Sequence, residues 1–91
     1  MLTNIKIHQE RPDIKNGWVV RADSKRFGKN EIMCEGSYDD CIRYWERLFK
    51  NPKVDKIVAD IKGYFPEYGL YLDDVITLHR NGFEEHASGS Y

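Results

Sequence analysis

A chain of 91 residues with 41% hydrophobic, 13% aromatic and 32% charged side chains has material for one modest core. A domain of this size buries only about 60 to 65% of the surface its unfolded chain exposes, which leaves no room for a second domain carrying a cofactor. With 14 Lys and Arg against 15 Asp and Glu the net charge is −1, which argues against a strongly basic nucleic-acid module and against a uniformly acidic decoy.

The start, Met1 to Lys6, has no apolar stretch behind a basic head, so no secretory leader is expected. Apolar runs are short, as in Leu70-Tyr71-Leu72, far below the roughly 20 residues of a membrane-spanning helix. Cys34 and Cys41 are too few for a disulfide-stapled scaffold. A cytoplasmic protein with two reduced thiols is the expectation.

In chain order, a first strand is predicted from Ile5 to Ile14, bent by Pro12, and joined by an Asn16-Gly17 hairpin turn to a strand at Trp18. Trp18, Val20 and Ala22 alternate with Val19 and Arg21, then Asp23 to Lys29 form a polar loop. Ile32 and Cys34 alternate with Glu31, Met33 and Glu35 in a third strand. Ser37 with Asp40 forms a capping-box-like start, followed by Tyr38, Cys41, Ile42, Trp45, Leu48 and Phe49 at three- and four-residue steps. This predicts a helix over 38–50, stopped by Asn51-Pro52. The β-branched Val54, Ile57, Val58 and Ile61, followed by Gly63, favour a strand over a second helix at 54–61. A last hairpin joins Val75–Arg80 through Asn81-Gly82 to a short return over Phe83 to Ala87, and residues 88–91 read as a frayed tail.

A helix with one apolar stripe and strands with one apolar face satisfy each other only by packing together. The expectation is therefore a single α+β domain over 1–87, an antiparallel sheet of five or six strands with one main helix across one face, in the order β-β-β-α-β-β(-β). Trp18, Val20, Ile32, Cys34, Cys41, Trp45, Leu48, Ile57, Leu72 and Ile76 are the candidate core.

Charge is unevenly spread: residues 1–30 carry seven basic and three acidic side chains, residues 63–91 one basic and five acidic. In the acidic third, Tyr64, Phe65, Glu67, Tyr68, Tyr71, Asp73 and Asp74 crowd together. Tyrosines give large amphipathic contact area at low entropic cost, and carboxylates among them favour a partner surface rich in Lys and Arg. This points to a small non-enzymatic interaction protein, an inhibitor, adaptor or regulatory subunit of the kind phages and mobile elements encode. The same rings also suit an ordinary sheet core.

Two alternatives stand beside it. Lys25, Arg26, Phe27 and Lys29, with Arg21 on the adjoining strand, combine cations with a stacking ring, the minimal kit for nucleic-acid binding. His79 with Asp73 or Asp74 is the one combination suited to acid–base chemistry. Adjacent carboxylate pairs point in different directions and make no dyad, and two histidines flanking Asn81-Gly82 without a third ligand make no metal site. No cofactor and no metal is expected. Cys41 lies in the first helical turn but on the apolar stripe, which favours a buried, inert thiol over a nucleophile. A sheet edge such as the Ile5 strand leaves room for a homodimer.

Overall fold

The computed structural model describes residues 2–87; the tail expected over 88–91 lies outside them. The element that organises the fold begins at Ser37. Its Oγ accepts from the Asp40 amide and Asp40 Oδ2 accepts from the Ser37 amide, each at 3.2 Å. That reciprocal box satisfies two donors that a helix start leaves orphaned. Helix α1 then runs Tyr38–Glu46, buries Cys41 and Trp45, and tightens into a 3₁₀ turn over Arg47–Lys50. Asn51 leaves it with ψ of 115°, the extended geometry that Pro52 imposes on its predecessor.

Around α1 lie strands β1 (Thr3–Gln9), β2 (Trp18–Ser24), β3 (Gly28–Gly36), β4 (Lys56–Phe65), β5 (Leu70–His79) and β6 (Glu84–His86). They form one sheet in the order β3-β2-β1-β4-β5-β6. The fold is α+β with the expected order of elements, and one pairing departs from an all-antiparallel sheet: β1 and β4 run parallel. The cause is the crossover. After β3 the chain returns through α1 to the far side of β1, and a helical crossover delivers its strand in the direction of the one it left.

The centre of the core is that parallel seam. Ile7 and Ile61 are register partners, both fully buried, and with Val20 and Cys41 they are the largest wholly enclosed side chains. Trp18, Trp45, Ile57, Ala59 and Ile76 complete the buried cluster, and Cys34, Leu48 and Leu72 pack against it. Ile7, Ala59 and Ile61 were not among the expected core residues; Ile32 was, yet it is 44% exposed. The reason is a bulge in β3. Val20 pairs with Cys34 but Arg21 with Ile32, so Met33 is the extra residue and packs inward while Ile32 turns out.

Two expected turns differ in form. Strand β1 stops at Gln9 rather than Ile14, and the connection to β2 is a loop over residues 10–17 in which the Glu10 and Arg11 amides both donate to Gly17 O. Gly17 serves close approach rather than a tight turn, since a Cβ there would stand 1.9 Å from Arg11 O. At the other end Asn81 lies outside the positive-φ region; Gly82 has φ of 93°, and His79 N donates to Phe83 O at 2.8 Å, closing a wider loop. Strand β4 begins two residues after Val54 and continues through Gly63. Here glycine is a packing device, because a Cβ would stand 2.0 Å from the Trp18 ring.

Helix α1 packs on β1, β2 and β3 and the 3₁₀ turn on β4, all on one face of the sheet. Among the described residues no helix covers the opposite face.

Candidate functional site

The topology opens the sheet at the carboxyl ends of its parallel pair. From the carboxyl end of β1 the chain turns towards β2, and from the carboxyl end of its parallel neighbour β4 it turns towards β5 on the other side. Two connections leaving adjacent parallel ends in opposite directions leave a crevice between them, the geometry that places ligands in open parallel sheets. A cleft of about 570 Å³ lies there, lined by the 12–15 loop, the 64–67 segment, Gln9, Trp18 and the start of α1.

Its floor is aromatic. Trp18 and Tyr38 stand edge to face with ring centres 4.9 Å apart, Tyr38 and Phe65 likewise at 4.9 Å, and Trp18 and Phe65 at 5.3 Å. Such offset and T-shaped contacts add about 0.5–1.5 kcal/mol per pair beyond area burial, so the floor is rigid. Burial, then the charges of Glu84 and Asp39, push the Tyr38 hydroxyl above its usual pKa, so it stays a neutral donor. Gln9 locks the two strand ends: its Oε1 accepts from Tyr64 N at 2.9 Å and its Nε2 donates to Tyr64 O at 3.3 Å, so a side chain continues the ladder.

The rim is acidic. Asp13, Asp39 and Glu67 line the cleft against a single cation, Lys15. Arg11 Nη2 donates to Asp13 Oδ2 at 3.1 Å and holds that carboxyl below its usual range. Asp39 and Glu67 form no ion pair among the described residues. Trp18, Tyr38, Gln9, Asp13 and Asp39 were not read as site residues from sequence. They converge only through the parallel β1–β4 pairing, for which no local signal exists.

The residues expected to bind a partner divide between faces. Tyr64 and Tyr71 are cross-strand neighbours on the uncovered face, with Asp73 beside them opposite Lys62. Tyr68, 77% exposed, and Glu67 occupy the β4–β5 turn, where Gly69 supplies a φ of 61°. Phe65 and Asp74 point to the helix side. Asp74 is 6% exposed and its Oδ2 pairs with His86 Nδ1 at 2.7 Å, leaving it no access to a partner.

That pairing also bears on acid–base chemistry. His79 lies on the uncovered face and bonds Glu85 at 3.2 Å, whereas Asp74 faces the helix side, so the two do not meet. His86 takes the carboxylate instead, with Glu84 at 3.3 Å from its other nitrogen, and the Asp74 bond foremost raises its pKa. Neither this cleft nor a second one at the amino ends of β1 and β4 is lined by His79, His86, Asp73 or Asp74. Among the described residues no group of three or more His, Cys, Asp or Glu is disposed to hold a metal, and no helix is long and apolar enough to cross a membrane.

The basic residues also separate. Arg21 forks onto both oxygens of Glu10 and donates from Nη1 to Asn30 O at 2.9 Å, so most of its donors are engaged. Lys25, Arg26, Phe27 and Lys29 form the exposed β2–β3 tip, where Phe27 is 63% exposed and the Arg26 guanidinium lies 5.3 Å from its ring centre. Ser24 Oγ accepts from the Arg26 and Phe27 amides, which fixes the turn.

No family model matches the chain, nor does any curated protein or solved structure.

Proposed function

We propose that the protein is a non-enzymatic interaction module, an inhibitor, adaptor or regulatory subunit, that presents the carboxyl end of its parallel seam to a basic protein surface. The observation that carries this reading is the convergence at one end of the sheet of an acid-rimmed aromatic cleft and an exposed tyrosine turn. Tyr64, Tyr68 and Tyr71 offer large rigid contact area, and the carboxylates at the rim give a basic partner its orientation.

The test is capture of partners from cells of the source organism by the wild-type chain and by a Tyr68→Ala/Tyr71→Ala variant, with the recovered proteins identified. Both side chains are exposed, so the fold should persist, and loss of a basic partner by at least tenfold is expected. Recovery of the same partners by the variant would sink the reading. Asp74 is excluded from this test because it is buried.

A second reading, nucleic-acid binding, is favoured by one observation: Phe27 stands out at the β2–β3 tip among Lys25, Arg26 and Lys29, none of which forms an ion pair among the described residues. An exposed ring beside cations suits an unpaired base and its phosphates. Replacing Lys25 and Lys29 by Gln should then lower the slope of log affinity against log salt by about 1.4 on a single strand. An absence of oligonucleotide binding at low salt would remove this alternative.

A further inference from the structure

We propose that the cleft at the carboxyl ends of β1 and β4 receives an arginine side chain of the partner. This rests on the interaction-module reading and narrows it to one recognised chemistry. The concavity itself follows from topology, because diverging connections at adjacent parallel ends leave a crevice that no side chain of the sheet fills. At about 570 Å³ it holds a long side chain together with the backbone on either side of it.

The sign of the ligand follows from the lining. Of the three carboxylates in the lining Asp13 is taken by Arg11, while Asp39 and Glu67 form no ion pair among the described residues. The start of α1 also borders the cleft, and a helix start commonly attracts anions. Here part of that role is spent internally: the Ser37 hydroxyl takes the Asp40 amide, the Asp40 carboxylate takes the Ser37 amide, and Asp39 adds negative charge beside them. An anionic ligand would meet the Asp39 and Asp40 carboxylates at this helix start.

Arginine rather than lysine follows from the floor. The Tyr38 and Phe65 rings are packed against Trp18 and line the cleft, and aromatic rings are what a planar guanidinium stacks on while its fork reaches carboxylates. An ammonium is a compact, strongly hydrated charge that gains less from the same wall. The rim already shows the pairing in miniature, with Arg11 seated on Asp13 at 3.1 Å. Lys15 is the lining's own cation and so a weak competitor for the site.

The experiment titrates a capped Gly-Arg-Gly peptide into the labelled full chain at low salt, following amide shifts, with capped Gly-Lys-Gly and Gly-citrulline-Gly as controls. A dissociation constant on the order of 1 mM is expected for one side chain, with shifts centred on Tyr38, Phe65 and Glu67. The lysine peptide should bind about threefold and the citrulline peptide at least about tenfold more weakly. Asp39→Asn and Glu67→Gln, both at exposed positions, should each weaken the arginine peptide by about three- to tenfold, and Lys15→Ala should tighten it by about twofold. Equal binding of the citrulline peptide, unchanged binding by the Asp39→Asn/Glu67→Gln double variant, or shifts confined to other surfaces would overturn the proposal, as would no shift at all. These outcomes are separable from the broader reading: a chain that ignores the peptide yet loses its protein partner on Tyr68→Ala/Tyr71→Ala remains an interaction module without an arginine site.

Discussion

The β1–β4 seam opens at both of its ends, and the two openings differ in kind. At the carboxyl end the backbone ladder runs to His8 and Lys62, the Gln9 side chain carries it on to Tyr64, and the crevice forms where the connections part. At the amino end the strands separate before they pair. Asn4 sits at φ of 50° beside a register shift between Thr3 and Lys6, so β1 veers away and pairing with β4 begins only at Lys6 and Asp60. A second cleft of about 540 Å³ results, lined chiefly by Leu2, Ile5, Leu48, Val54, Ile57 and Val58. Two openings of nearly equal size thus carry unequal information. The apolar one is a consequence of splayed strands; the other combines packed rings with two carboxylates that form no ion pair among the described residues, and it is the one to which a ligand is proposed.

If the zipped half of the seam bears the stability of the fold, truncation there should cost far more than truncation at the splayed end. Ile61→Ala removes a fully buried side chain from the centre of the core, and a loss of about 2–5 kcal/mol is expected. Ile5→Ala removes a half-buried side chain bordering the apolar cleft and should cost roughly 1 kcal/mol, because less area leaves solvent there. Urea unfolding of both variants decides it, and equal losses would mean that the seam is held uniformly.

Much of this architecture was legible in the residues. Ser37 with Asp40, the stripe through Cys41 and Trp45, and the Asn51-Pro52 stop located the helix because each acts over a few neighbouring residues. The alternation of Trp18, Val20 and Ala22 located β2 for the same reason. What escaped was non-local. Nothing in β4 announces that it lies beside β1 and parallel to it, so neither the deepest core pair nor the cleft at its end could be assembled from the sequence. Ile32 was misplaced by a single inserted residue, since one bulge reverses the alternation on which the face assignment depended. Tyr64 and Phe65 show the same sensitivity: as neighbours on one strand they necessarily face opposite sides, and a cluster in sequence became two surfaces.

The next effect concerns the floor of the polar cleft. Gly63 lies against the Trp18 ring, and a methyl group there must displace the ring or the strand. Gly63→Ala should therefore cost about 1–3 kcal/mol, the usual range for overpacking, and should alter tryptophan fluorescence. Gly69→Ala, at the nearby turn, meets no atom within 4 Å and only the strain of a φ of 61°, so about 1 kcal/mol without a spectral change is expected. A spectral change in both would break the assignment of Gly63 as the spacer that seats Trp18.

A smaller effect belongs to the wall that α1 contributes. Ser37→Ala removes the hydroxyl that accepts the Asp40 amide, at a typical cost of about 1 kcal/mol. The variant should fray the first turn, and amide exchange should rise at Asp40 and Cys41 while the amino-terminal cleft is unaffected. Faster exchange at Leu48 and Val54 to the same degree would show that the two ends of the seam are not independent.

The smallest effect is a pH dependence confined to the β5–β6 edge. His86 bonds the Asp74 carboxylate at 2.7 Å and Glu84 at 3.3 Å, and its pKa is raised above the ordinary 6.5 chiefly by the Asp74 bond. Protonation is thus linked to the folded state. The stability this contributes is fully present below the unfolded value and is lost as the pH rises through the higher folded value. The imidazole is about half exposed, so solvent limits the contribution to less than about 1 kcal/mol. Urea midpoints at about pH 5.5 and about pH 8.5 should favour the lower pH by that margin in the wild type, and the margin should shrink in His86→Asn. Glu84 is close enough to raise the Tyr38 hydroxyl pKa, so the pair is tied to the start of α1, whereas β1 lies three strands away from β6. Amide protection, taken relative to the intrinsic exchange rate at each pH, should therefore change at Ile76 and stay constant at Ile5. A change of the same size at Ile5 would mean that protonation acts on the whole sheet rather than on one end of it.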